Sequence, residues 1–369
     1  MNPQNMPDFP SAEPASFHLK TIKTINHPGW LESHVTLGGP VDAESFQQAR
    51  EQLPGGAEAT VLGVDLFGTE PEITGMEDMV KRAGITAPAT SVISSSPGRG
   101  GMQFTAATGI DPTPLILRGR LSGYLIEDSE TSRCFLGGLR PDDPDASRED
   151  QTKDVFLAIE KAVALAGMGF EHVVRTWFYN EKILDWYREF NKVRTGFFRG
   201  HAIRRMPVST GIGAPNPGRT ALVAKAFAVR SRTSEVLPRP SPLQCHAFSY
   251  GSAFSRALEV PDSCSRALYV SGTASIGPDG ESIHKGDPAR QIERAMDVVR
   301  AILTEAGMRL EDTTRAIAYF RDPSHVAVWE KYCCNLPPLP LVSLGCHVCR
   351  DDLLFEIELD VSAREGPPG

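Results

Sequence analysis

The chain lacks any apolar run close to the roughly 18 to 20 residues that a membrane-spanning helix needs. Its N-terminus, MNPQNMPDFPSAEPASF, has no basic stretch leading into an apolar one and so does not read as a secretory signal. It lacks an excess of positive charge: 38 Lys and Arg against 46 Asp and Glu leave a net charge of −8. Such a balance gains nothing from counterion release on nucleic acid, and neither nucleic acid nor membrane is expected as a partner. The only candidate basic cluster, Arg194, Arg199, Arg204 and Arg205, suits an anion pocket or a solvated face better. Cysteine is sparse and odd in number, with seven spread along 369 residues, which argues against a disulfide framework and for a reducing cytoplasm. There is no Gly-x-Ser-x-Gly elbow, and none of the nine His sits in an HExxH pattern. Cys346-His347-Val348-Cys349 has only the adjacent Cys333-Cys334 upstream, a pair that cannot easily chelate one ion with it. SPGRGG (96–101) has no strand–helix context for a phosphate loop. Neither a metal nor an organic cofactor is expected.

What the chain does contain is an internal repeat. Residues 166–179 read AGMGFEHVVRTWFY and residues 306–319 read AGMRLEDTTRAIAY, an offset of 140 that also aligns Arg175 with Arg315 and Gln151 with Gln291. Around this match CFLGGL (134–139) corresponds to YVSGTA (269–274), and PVSTGIG (207–213) to LVSLGC (341–346). TALVAKAFAV (220–229) corresponds to DLLFEIELDV (352–361). Each unit reads strand, amphipathic helix, turn at Ala-Gly-Met, strand, second helix, strand, strand. The spacing of Ile292, Ala295, Met296, Val299, Ile302 and Leu303 predicts a helix over Pro288–Glu305 with one buried face. The Gly after Ala306 predicts its C-cap. The fold class is α+β, built of tandem modules. Residues 1–55 read as a disordered leader and N-terminal extension, and 56–130 as a β-rich domain that leaves a degenerate third copy open. The central module spans 131–235 and the C-terminal one 245–365. In the first third, strands are predicted at 59–67, 103–107 and 121–127.

The second unit resembles the RidA/YjgF family, also described as chorismate mutase-like. The resemblance is carried by LYVSGTASIGPDG, by GDPARQIERAMDVVRAILTEAGMRLEDTTRAIAYFRD and by LLFEIELDV. Single RidA modules use an Arg eight residues before the Glu of the last strand. Here that position is Val348, and Arg350 stands six residues before Glu356. The fused chain is similar instead to chorismatases of the FkbO type, whose RidA-like domains follow a pseudo-threefold arrangement and which remove pyruvate from chorismate. RTWFY (175–179), WYREFNKVR (186–194), the Tyr250-Gly251 and Phe254-Ser255-Arg256 segments, SGTAS (271–275) and CHVCRDDLLFEIE (346–358) carry that similarity. The resemblance implies Glu356 as catalytic acid and base, and Cys349 as the residue that accompanies formation of 3-hydroxybenzoate rather than a dihydroxycyclohexadiene carboxylate.

Strand alternation places Glu356 and Glu358 on one face and Phe355 and Ile357 on the other. If that face is buried, desolvation and the like-charged neighbour raise a carboxyl's pKa, as a general acid at neutral pH requires; if solvated, the two are surface charges. The first unit aligns Ala224, with Lys225 beside it, at the position of Glu356. Chorismate carries two carboxylates, and Arg binds a carboxylate through two parallel hydrogen bonds. Arg175, Arg256, Arg321 and Arg350 are the candidates, with Arg175 also readable as structural. Tyr250, Gly272, Thr273 and Ser275 complete the expected substrate contacts. Glu356 would protonate the enolpyruvyl methylene, and water or the neighbouring ring hydroxyl would then release pyruvate. An imine hydrolase and a non-catalytic binder of a small carboxylate are the alternatives. The sequence is compatible with a monomer that completes the threefold by itself and with a homo-oligomer.

Overall fold

The computed structural model describes residues 19–96, 99–247 and 251–364. The expected leader at residues 1–18, Tyr250 and part of SPGRGG lie outside the described residues.

Three sheets carry the architecture. The first contains β1 (Leu19–His27), β2 (Trp30–Gly38), β3 (Thr60–Gly68), β4 (Ala89–Ile93) and β5 (Gly101–Thr108), in the order β1-β2-β5-β3-β4, with helices α1 (Ala43–Glu51) and α2 (Glu70–Arg82). The second contains β6 (Thr113–Leu117), β7 (Arg120–Glu127), β8 (Thr131–Leu139), β9 (Val173–Asn180), β10 (Val208–Ile212) and β11 (Leu222–Ser231), with α3 (Arg148–Leu165) and α4 (Tyr187–Gly200). Its order is β10-β9-β11-β8-β7-β6. The third contains β12 (Leu237–Arg239), β13 (Ala257–Pro261), β14 (Ser265–Ala274), β15 (Thr313–Phe320), β16 (Leu341–Gly345) and β17 (Phe355–Arg364), with α5 (Pro288–Glu305) and α6 (His325–Cys333). Its order, β12-β13-β14-β17-β15-β16, is that of the second sheet read from the other edge.

The five strands of the first sheet follow the same order, so the chain carries three RidA-like repeats. This corrects the boundaries read from the sequence. Residues 19–51, taken as extension, form two strands and a helix of the first unit, and residues 113–127, taken as the end of the N-terminal domain, pair with the second sheet.

Helix α5 occupies the predicted span. Asp287 caps it by accepting from Arg290 N, and Pro288 sits at its first turn, where its missing N–H costs nothing. Gly167 and Gly307 end α3 and α5 at φ +66° and +65°, a region in which a Cβ is strained. The backbone N–H of Met168 reaches back to Val163 O at 3.0 Å and that of Met308 to Leu303 O at 2.8 Å, which closes the last turn in the same way twice.

Each helix pair covers the outer face of its own sheet, where Phe156, Phe178 and Phe190 pack in the second unit and Met296, Phe320 and Phe355 in the third. The inner faces meet in one shared core that contains Phe67, Tyr179, Tyr319, Val208, Leu258 and Val342. The parallel edge strands tie the three units cyclically. Ile93 N donates to Pro215 O, Gly213 and His347 exchange two hydrogen bonds of 2.8 and 3.1 Å, and Ser95 N donates to Gly345 O. Clefts open beside the tie of the first and second units and beside that of the second and third.

Candidate active site between the central and C-terminal units

The second and third units enclose a cavity of about 720 Å³. Its floor is Glu356 on β17, which pairs with Ala274 on one side and Tyr319 on the other. The alternation predicted for this strand holds: Phe355 and Ile357 face the core under α5, while Glu356 and Glu358 face inward. Glu356 is 5% exposed. Burial, reinforced by the neighbouring Glu358 and opposed by Arg256 and Arg175, pushes its carboxyl up to about 8. Gly272 makes room for it, since a Cβ there would lie 1.9 Å from Glu356 Oε1. The backbone N–H of Gly272 donates to Thr210 Oγ1 of β10 at 3.1 Å, which locks the two walls together.

Six cations line this cavity, Arg188, Lys192, Arg194, Arg199, Arg256 and Arg350, and Glu356 is the only acid among the lining residues. Arg194 is 2% exposed and donates to Asn191 Oδ1, while its buried Nε has no hydrogen-bond partner among the described residues. A buried guanidinium donor left without a partner is costly unless a ligand oxygen meets it. Arg256 donates from Nε and Nη2 to Cys245 O at 3.3 and 3.2 Å and lies over the Phe254 ring. Arg350 donates to Gly280 O at 2.9 Å. Cys349 is hydrogen-bonded to Tyr187, and burial together with Glu356 pushes its thiol up to about 12, so it is a neutral thiol.

Behind Glu356 lies a sealed ionic layer. Glu358 accepts from Trp177 Nε1 at 2.7 Å and from Arg315 Nη2 at 2.9 Å, and Arg175 Nη2 lies 3.0 Å from its other oxygen. Burial alone would raise the Glu358 pKa, but Arg175 and Arg315 outweigh it and hold the group below the ordinary range. One carboxylate is thus kept ionised and its neighbour two residues away is kept protonated.

Of the residues expected to contact substrate, Arg256, Gly272 and Arg350 line the cavity, as do Glu356 and Cys349. Arg175 does not: it is fully buried and holds Glu358, Asp360 and Val270 O. Thr273 and Ser275 turn away and donate to Ser271 O and Ile283 O, because the strand directs alternate residues, Gly272 and Ala274, to the cavity. Arg321 pairs with Asp351 outside it. Sequence reasoning did not name Tyr187, Asn191 or Ser209 as contacts, and it read Arg194 only as part of a basic cluster. Tyr187, Asn191 and Arg194 sit at i, i+4 and i+7 of α4, a row on one helix face that the sequence does carry.

Residues 246–362 match the family model described as Endoribonuclease L-PSP. A RutC family protein of Pyrococcus abyssi is 33% identical over 109 residues, covering 28% of this chain and 82% of that protein. A 3-hydroxybenzoate synthase of Streptomyces hygroscopicus is 27% identical over 253 residues, covering 61% of this chain and 72% of that protein. The solved structure of a chorismatase superposes with a TM-score of 0.64 at 19% identity, covering 92% of this chain and the whole of the other.

Proposed function

We propose that this chain, which belongs to the RutC family, is a chorismatase that releases pyruvate from chorismate and leaves 3-hydroxybenzoate. The observation that carries the reading is a single proton-bearing carboxyl, Glu356, at the floor of a cavity whose other charged lining residues are all cations. Its relative from Streptomyces hygroscopicus bears the name of that product. A dianionic enol ether fits both features. Arg194, Arg256 and Arg350 meet its carboxylates. Glu356 gives its proton to the enolpyruvyl methylene, and the positive charge develops at the ether carbon. For the aromatic outcome the neighbouring ring hydroxyl displaces pyruvate from its ring carbon and gives its proton to the ionised Glu356, which restores the acid. The epoxide so formed opens with loss of that carbon's hydrogen to leave the oxygen at position 3. For the diene outcome water adds to the ether carbon and gives its proton to Glu356, and the resulting hemiketal divides into pyruvate and the ring alcohol. The aromatic outcome balances with no water: chorismate divides into 3-hydroxybenzoate and pyruvate. The diene outcome consumes one water. Protonation by a carboxylic acid asks for no metal or organic cofactor. Cys349, neutral and beside Glu356, bears on the choice between the two outcomes as an apolar, weakly polar wall.

Incubation with chorismate, with pyruvate and aromatic product followed by chromatography, tests this. Pyruvate with 3-hydroxybenzoate from the native chain, and neither from E356Q, is the expected result. Absence of pyruvate from the native chain would overturn the reading.

A further inference from the structure

The cleft between the first and second units is built on the same plan as the one that holds Glu356. There the backbone N–H of Gly138 donates to Thr90 Oγ1 at 3.0 Å, as Gly272 does to Thr210. Val223 pairs with Tyr179 as Glu356 pairs with Tyr319, so the acid's position is apolar. The cleft has nevertheless not closed: it keeps about 300 Å³, near the lower end of the range of small-molecule sites.

Its charges are unevenly committed. Arg118 is held by Asp142 and Asp154, which fastens the β6–β7 hairpin over the cleft to α3. Glu77 accepts from Ser91 Oγ at 2.8 Å. Arg120 and Arg140 line the same cavity, and their guanidinium groups have no ion-pair or hydrogen-bond partner among the described residues. Gly218 leaves space for Arg140, whose Nη1 would lie 3.2 Å from a Cβ at that position. Pro88, Leu117, Leu121, Leu139 and Val223 contribute apolar surface to the same lining. Two uncommitted forks beside apolar side chains match a flat ring that bears one carboxylate.

We propose that the cleft between the first and second units is a second ligand site, one that binds a small aromatic carboxylate and, with Val223 where the other cleft has Glu356, does not convert it. The site stands on its own residues and not on the chemistry assigned to Glu356.

Equilibrium dialysis of the full chain against millimolar radiolabelled benzoate tests it, with R120A/R140A as the comparison. Both side chains are exposed, so the variant keeps the fold. The native chain is expected to hold one benzoate more than the variant, and salt is expected to weaken that extra binding. Equal numbers bound by the two chains would overturn the proposal. The difference is independent of the first cleft: if that cleft takes no benzoate, the counts are one and zero, and if it does, two and one. Chorismate turnover, read separately, decides the other reading.

Discussion

Two clefts of this molecule share a backbone plan and differ in what stands on it. Beside Tyr319 the strand carries Glu356, with Glu358 two residues on. Beside Tyr179 it carries Val223, with Lys225 two residues on. The hydrogen bond that joins the two walls is the same in both, Gly272 to Thr210 and Gly138 to Thr90. The inward position is therefore acid in one unit and base in another, and in the first unit it is Gln103. Each is satisfied by its own partners: Glu358 by Arg175, Arg315 and Trp177, Lys225 by Asp65, and Gln103 by Thr36 and Ala316 O. The lesson is that the fold fixes where a side chain points, and the partners across the pseudo-threefold decide whether it carries a proton. Joining three units in one chain lets those partners differ from cleft to cleft.

Removing the acid should break the contrast most sharply. E356Q is expected to lose about 10²–10⁴-fold in kcat on chorismate, the usual contribution of a positioned acid. Adding V223E to that variant should not restore turnover, because Lys225 favours the ionised form where Glu358 opposes it. Steady-state pyruvate release checks both.

The same substitution should have the opposite effect on stability. The folded pKa of Glu356, about 8, lies above its ordinary 4.5. A raised carboxyl leaves stability intact below 4.5 and erodes it as the pH climbs toward 8. At pH 7 E356Q should therefore be more stable than the native chain, by on the order of 3 kcal/mol. At pH 4 the gain should vanish, which urea unfolding at the two values reads directly. Turnover by the native chain should fall as the pH rises through about 8, since the protonated form is the working one; a rate that rises across that range would contradict the acid role.

A smaller effect is expected from C349A. The thiol stays neutral well past neutral pH, so kcat should change by less than about 10-fold, while the ratio of aromatic to diene product shifts toward the diene. R120A/R140A should leave turnover unchanged and lower only benzoate binding.

Much of the second and third units was legible in the sequence. Helix α5, the Ala-Gly-Met turns and the inward pair of carboxylates all follow from periodicity. The first unit was not, because α1 spans nine residues and no Ala-Gly-Met turn marks it. Its hairpin at His-Pro-Gly-Trp joins two nine-residue strands, and that turn was the available signal. The repeat located the closing strands but slipped by one residue, setting Ala224 rather than Val223 against Glu356. Because side chains alternate, such a slip swaps faces, and Ala224 in fact packs under the helices. Arg175 was misassigned for a different reason. Strand spacing says that it points inward, but not whether the inward space is a cavity or a sealed ionic layer.

The polar layer at the centre also sets an order of events during synthesis. Gln103 hands its amide to Ala316 O, 213 residues later, and His27 meets Asp262, 235 residues later. At about 5–20 residues per second the first sheet waits roughly 10 to 50 s on the ribosome before these partners exist. An apolar inner face would spend that interval as a sticky surface for neighbouring nascent chains. Glutamine and histidine spend it hydrated, and give up their water only when the last unit arrives.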